Sequence, residues 1–176
     1  YFTIGAISRI VEGKNVDKII DTFILYKINF NPKSILVIAN VDQNSAYAKK
    51  VLNKLKCLSR NDYRLIRFEE DIFNLYNCFD LFIHIPKGGG YEAFGQTFIE
   101  SMLSKVPTIF SRSGIANEIC KNRVNTYFCN PENIFGILKG IKFYHYKFKN
   151  TKLITENAYN KVKREFELNN HISKLL

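Results

Sequence analysis

The run Ser34-Ile35-Leu36-Val37-Ile38-Ala39 has no charge and is rich in β-branched residues, as expected of a strand buried on both faces. It is one of a series. Segments 2–7, 63–68, 81–85, 107–110 and 126–129 read as further strands, and helical periodicity separates them. Val16, Ile19, Ile20, Phe23 and Ile24 share one face of a helix that Asn15 can cap, and Ala48, Val51, Leu52 and Leu55 share one face of the next. Segments 71–78, 96–104 and 114–120 supply shorter helices. Asn130-Pro131-Glu132 then offers a cap, a proline at the first helical position and an early acid. Strands alternating with helices predict an α/β fold, a Rossmann-like parallel sheet in three layers with helices on both faces. Sheets of this kind bind ligands at the carboxyl ends of their strands.

A length of 176 residues argues for one domain, and 46% hydrophobic content is enough for a real core. No run reaches the ~18 apolar residues of a membrane span. The opening residues lack a basic region, so no signal peptide is expected, and the four cysteines lack CxxC pairing or metal-ligand spacing to His84, His145 or His171. Reduced, mostly buried thiols and a cytoplasmic protein are the expectation. The net charge of +10 admits nucleic acid, anionic lipid or a phosphorylated ligand. No helix-turn-helix, zinc finger or RNA-binding aromatic motif accompanies it, so no nucleic-acid partner is expected.

The stretch Tyr91-Glu92-Ala93-Phe94-Gly95-Gln96-Thr97-Phe98-Ile99-Glu100 follows the charge-free segment 81–85 and Gly88-Gly89-Gly90. That order reads as strand, flexible loop, helix start. A Gly-rich loop entering a helix leaves backbone N–H groups free for an anion, and the helix dipole favours negative charge there. Glu92 and Glu100 are acceptors suited to hydroxyls, and the amides of Phe94, Gly95, Gln96 and Thr97 are expected to share their pocket. Phosphate on the amides and hydroxyls on the carboxylates together describe a sugar nucleotide. Arg9 and Lys14 stand at the end of the first strand, where two cations can neutralise a diphosphate from the opposite side.

Taken in order, these pieces resemble the group 1 (family 4) glycosyltransferases of the GT-B fold. Ser8 to Asp17 is similar to the family's first donor-domain loop, and Glu92-Ala93-Phe94-Gly95 with Glu100 to its E-x-F-G-x4-E signature. Val106-Pro107-Thr108-Ile109, Ser113-Gly114-Ile115, Glu118-Ile119, Val124-Asn125 and Asn130-Pro131-Glu132 follow in the family's order. The resemblance implies that Arg9 and Lys14 hold the donor diphosphate. It implies that Glu92 contacts the transferred sugar, that the amides from Phe94 to Thr97 meet the sugar and distal phosphate, and that Glu100 binds the ribose. The base would lie near Arg67 and Phe68, at the end of the third strand. It further implies retaining transfer of a hexose from a UDP-, GDP- or ADP-sugar, without a cofactor or metal.

The sequence departs from the family at Lys87 with its three glycines, at the single glycine of Ser113-Gly114, and at Arg123-Val124-Asn125-Thr126. Lys87 is expected to face solvent. GT-B enzymes place an acceptor-binding half before the donor half, and this chain opens on the donor half without a Met. It is therefore expected to be a fragment that binds nucleotide but transfers little alone, its partner being the N-terminal acceptor domain. Residues 1–140 are assigned to donor binding. Residues 141–176, with basic and aromatic residues interleaved from Lys142 to Lys149 and a helix over 156–166, are expected to pack on this domain or on the N-terminal half. The same tract admits peripheral attachment to the inner membrane surface, near a lipid-linked acceptor. A sugar-nucleotide epimerase of similar fold and a non-catalytic nucleotide-sugar-binding or docking module are the alternatives.

Overall fold

The computed structural model describes residues 1–166 apart from 43, 89 and 147, and gives 148–150 as backbone alone. Strands β1 (Phe2–Ile7), β2 (Ser34–Ala39), β3 (Tyr63–Ile66), β4 (Leu81–His84), β5 (Thr108–Phe110) and β6 (Tyr127–Phe128) form one sheet, ordered β3-β2-β1-β4-β5-β6, with every pairing parallel. Helices α1 (Val16–Asn29), α2 (Ala46–Asn53), α3 (Ile72–Asn77), α4 (Gln96–Leu103), α5 (Ala116–Ile119), α6 (Ile134–Tyr146) and α7 (Phe148–Phe166) surround it. The expected Rossmann-like α/β sheet is what forms.

Strand alternation divides the core into two layers. Ile4, Ala6, Leu36, Ile38, Leu81, Ile83 and Ile109 pack against α1, α2 and α6. Val37, Ala39, Phe82 and Phe110 pack on the other face against α3, α4, α5 and α7. On that second face Phe98, from the first turn of α4, meets Phe110 with ring centroids 4.5 Å apart. Both rings are fully buried, each burial contributing roughly 1.5–3 kcal/mol, so the start of α4 is anchored to the sheet.

The chain runs outward from β1 through β2 to β3, then crosses back to β4 and continues outward the other way. The strand order therefore reverses between β1 and β4, and their carboxyl ends border a crevice where no connection crosses. This reversal is what positions the site.

Several local expectations are corrected. Asn15 does not cap α1 through its side chain: it adopts a left-handed φ of 54°, and its Nδ2 donates instead to Ile85 O at 3.2 Å and Glu132 Oε1 at 3.4 Å. The side chain is turned to the carbonyl just past β4, and its oxygen does not accept from the helix amides it was expected to cap. Helix α6 begins after Pro131 rather than on it. Asn130 Oδ1 accepts from Glu132 N at 3.0 Å, closing a turn, and Asn133 Oδ1 accepts from Gly136 N at 3.0 Å, which starts the helix.

Residue 140 falls inside α6, and Ile141, Tyr144, Ile154, Ala158 and Val162 are buried against the sheet layers. In the basic-aromatic tract, Phe143 packs on Tyr127, and the Lys142 ammonium lies 4.0 Å from the Phe30 ring centroid. Lys147, the side chains of 148 and 149, and residues 167–176, including His171, lie outside the described residues. Two of the four thiols are exposed rather than buried. Cys57 ends a 3-10 turn and Cys78 caps α3, and each Sγ donates to a backbone carbonyl, of Lys54 and Asn74 respectively. Among the described residues no helix is long and apolar enough to cross a membrane.

Candidate functional site

Two loops meet over the crevice. Ser8 and Arg9 follow the end of β1, and a single 3-10 turn, Glu12–Lys14, then carries Lys14 back toward the sheet. β4 ends in His84, and the loop after it returns Glu92 over the strand ends. The loops are joined where Lys87 N donates to Gly13 O at 2.8 Å. The Lys87 ammonium itself stands 3.8 Å from both Glu12 and Glu132, with about a third of the side chain exposed.

Glu92 is the centre of the arrangement. Its Oε2 accepts from Lys14 Nζ at 2.8 Å and from His84 Nε2 at 2.6 Å. The three side chains are 14% (Lys14), 12% (Glu92) and 4% (His84) exposed, so water screens the cluster weakly. Glu92 Oε1 accepts no hydrogen bond among the described residues. An ionised carboxylate only accepts, which assigns the proton of this bond to His84 Nε2. The His84 hydrogen bond, more than Lys14, holds the Glu92 carboxyl down at about 2, although burial acts in the opposite direction. Burial lowers the His84 pKa and outweighs the pull of Glu92. At neutral pH the cluster is thus one cation, one anion and one neutral imidazole.

Two glycines make room for Glu92. Gly95, at φ 89°, precedes α4, and a side chain there would run into the Phe98 ring and come within 3.3 Å of Glu92 Cγ. Gly114, at φ 49°, lets the turn after β5 approach so closely that a Cβ would stand 2.6 Å from Phe94 O. Ile115 N donates to that same oxygen at 2.8 Å. Left-handed conformations that favour glycine, with the close approach at Gly114, therefore fix the Glu92 loop where it enters α4.

The start of α4 faces this cluster with donors to spare. Gly95 caps the helix without a side-chain bond, and the amides of Gln96 and Thr97 donate to no protein acceptor among the described residues. Thr97 Oγ1 is buried without a partner, the one described side-chain N or O atom in that state. Unused N–H groups and the positive end of the helix dipole together favour an anion.

Ser8, Arg9, Lys14, His84, Glu92 and Thr97 line a crevice of about 210 Å³, with Ile7, Asn40 and Gln96 completing its walls. Arg9 is exposed and forms no ion pair among the described residues. The crevice is below the roughly 300–1,000 Å³ of a complete small-molecule site, so it accounts for part of a ligand. A second depression, lined by Ile7, Ala39, Asn40, Phe68, Glu69 and Ile72, shares Ile7 and Asn40 with it. The two form one groove along the ends of β1 and β2.

The sequence-predicted residues separate into groups. Arg9, Lys14, Glu92, Gln96 and Thr97 converge on the crevice, and Phe68 lines the adjoining depression. Arg67, its neighbour in sequence, lines a different one with Val41, Asp42, Asn44 and Leu65, which shares no residue with the groove. Phe94 is half exposed, outside the crevice wall, with its ring edge-on to Phe166. Glu100 lies one turn further along α4, where Glu100 Oε2 accepts from the Tyr76 hydroxyl at 3.1 Å. Burial raises the Tyr76 pKa, so the hydroxyl stays a donor. Sequence reasoning missed His84, Tyr76 and Asn40. For His84 there was a signal: it is the one polar side chain in the run Leu81-Phe82-Ile83-His84-Ile85. Among the described residues no group of three or more His, Cys, Asp or Glu is placed to hold a metal ion.

Comparison with known proteins bears on the family and the fold. A family model described as glycosyl transferases group 1 matches residues 1–161. A probable sucrose-phosphate synthase of Thermosipho melanesiensis is 26% identical over 165 residues, covering 90% of this chain and 34% of that protein. The chain thus spans about a third of the length of this curated relative. The C-terminal domain of a group 1 glycosyl transferase, LpcC, from Francisella tularensis superposes with a TM-score of 0.83 at 21% identity, covering 95% of this chain and 87% of that one. HepE of Anabaena, in complex with UDP and glucose, superposes with a TM-score of 0.85 at 22% identity, covering 99% of this chain and 47% of that one.

Proposed function

The chain belongs to the group 1 glycosyltransferases, and on that premise we propose that it is a donor-binding domain holding a nucleoside-diphosphate sugar at the β1/β4 reversal. The observation that carries this reading is the convergence of Arg9, Lys14 and Glu92 with the unpaired amides of Gln96 and Thr97 on one crevice. Cations and amides on opposite sides suit a diphosphate, and a carboxylate between them suits hydroxyls.

In this reading Arg9 and Lys14 take the diphosphate from one side and the start of α4 from the other. Charge accumulates on the diphosphate as the sugar departs, and fixed donors aimed at that charge lower the barrier. Two cations and a helix dipole supply the stabilisation for which other transferases use a metal ion, so none is required. Glu92 accepts hydroxyls of the transferred sugar through Oε1. Glu100 takes the ribose, and the base lies in the depression beside Phe68. Transfer proceeds with retention, of a hexose, to an acceptor carried by an N-terminal domain of the same protein, lipid-linked acceptors included. The 176-residue chain alone binds the nucleotide and transfers little.

A thermal-shift screen of UDP, GDP, ADP and their glucose conjugates tests the reading. A ligand at 100 times its dissociation constant adds about 2.7 kcal/mol, which raises the Tm by roughly 5–10 °C for a domain of this size. The absence of a shift with all six compounds overturns the donor assignment.

A further inference from the structure

Glu92 has two donors on one oxygen, and they differ in how they respond to a ligand. Lys14 is a charged, flexible side chain at the crevice wall. A diphosphate entering the crevice attracts its ammonium and competes with Glu92 for it. An uncharged imidazole is indifferent to that competition. His84 is also far more rigidly placed. It projects from the last residue of β4, is 3% exposed, stacks on Phe82 with centroids 6.2 Å apart, and meets Phe98 edge-on at 4.9 Å.

A bond of 2.6 Å from this ring fixes Oε2 and leaves Oε1 as the oxygen without a protein partner. We propose that His84 is a positioning residue for sugar recognition: it holds the Glu92 carboxylate toward the donor sugar while the diphosphate draws Lys14 away. The inference rests on the donor reading above. It adds a residue and a division of labour: Lys14 serves the phosphates, and His84 keeps Glu92 in register with the sugar.

A histidine that is only a satisfied core residue would have a different signature on substitution. His84→Phe keeps an aromatic ring between Phe82 and Phe98 and removes the donor. His84→Gln places an amide N–H the same number of bonds from the backbone as Nε2. Calorimetry on the whole chain measures Kd for UDP and for UDP-glucose, with the GDP and ADP pairs in parallel, and the readout is the ratio of the two constants within a pair.

In His84→Phe this ratio is expected to shift about tenfold against the sugar conjugate, with the free diphosphate bound within about threefold of the native value. His84→Gln is expected to restore most of the ratio. A parallel loss for both ligands, or an unchanged ratio, overturns the inference. Glu92→Gln separates the two levels. If that variant leaves the ratio unmoved, or no pair binds the native chain, the donor reading itself fails. If it moves the ratio and His84→Phe does not, the His84 role alone is wrong.

Discussion

Lys14 Nζ lies 2.8 Å from Glu92 Oε2, joining residues 78 positions apart into an ion pair across the mouth of the crevice. The cation proposed for the diphosphate is thus partly neutralised before ligand arrives. Glu92→Gln removes that competitor, and calorimetry is expected to show UDP bound about two- to fivefold more tightly, while transfer by a full-length enzyme falls. Lys14→Ala is expected to weaken UDP roughly ten- to hundredfold, the loss of a charge-assisted contact of about 1.5–3 kcal/mol. Unchanged UDP affinity in Lys14→Ala would show that the diphosphate lies elsewhere.

Tyr76 holds Glu100 from the neighbouring helix α3 at 3.1 Å. If Glu100 receives the ribose, Tyr76→Phe should weaken UDP about three- to tenfold by freeing the carboxylate. The same variant should bind 2′,3′-dideoxyuridine diphosphate as the native chain does, because that nucleotide has no hydroxyl for Glu100 to accept. Equal losses for both nucleotides would reduce Tyr76 to a packing role.

Acid should destabilise the domain in two stages. Burial lowers the pKa of His84 and of His145, so below about pH 6.5 the unfolded chain takes up protons that the folded chain refuses. Stability is therefore full above that pH and declines below it, by at most about 1.4 kcal/mol per pH unit for each histidine. Glu92, held at about 2, adds a second loss as the pH falls from about 4.3 toward 2. Urea melts of the native chain at pH 7 and pH 5 should differ, and His84→Phe should shrink the difference. An identical difference in the variant would mean that His84 is not buried in its neutral form.

Gly114→Ala should loosen the Glu92 loop. The residue stands at φ 49°, and its Cβ would meet Phe94 O at 2.6 Å. Left-handed strain and that contact together cost about 1–3 kcal/mol, a fall in Tm of roughly 2–10 °C in differential scanning calorimetry. An unchanged Tm would mean that the turn after β5 adapts without displacing the loop.

The layered sheet was legible because burial on both faces demands uninterrupted apolar runs, and Leu36, Val37 and Ile38 satisfy both core layers at once. Element ends were less legible. Asn15 looked like a helix cap, and nothing local reveals that the carbonyl of Ile85, 70 residues away, takes its amide. Pro131 looked like a first helical residue until Asn130 and Asn133 divided the turn and the cap between them. Arg67 and Phe68 were assigned together, yet adjacent side chains at a strand end face different depressions.

By itself the sequence determined a parallel α/β sheet, a glycine-rich entry to α4 and a set of charges in a recognisable order. Those features depend on periodicity and on local backbone permission, which are short-range properties. Only the tertiary structure decided which charges meet. The reversal between β1 and β4 brings Lys14 and His84 onto one oxygen of Glu92, while α3 takes Glu100 through Tyr76. Pairing of this kind depends on where strands end in space, and separations of 8 to 78 residues give the chain no local means of specifying it.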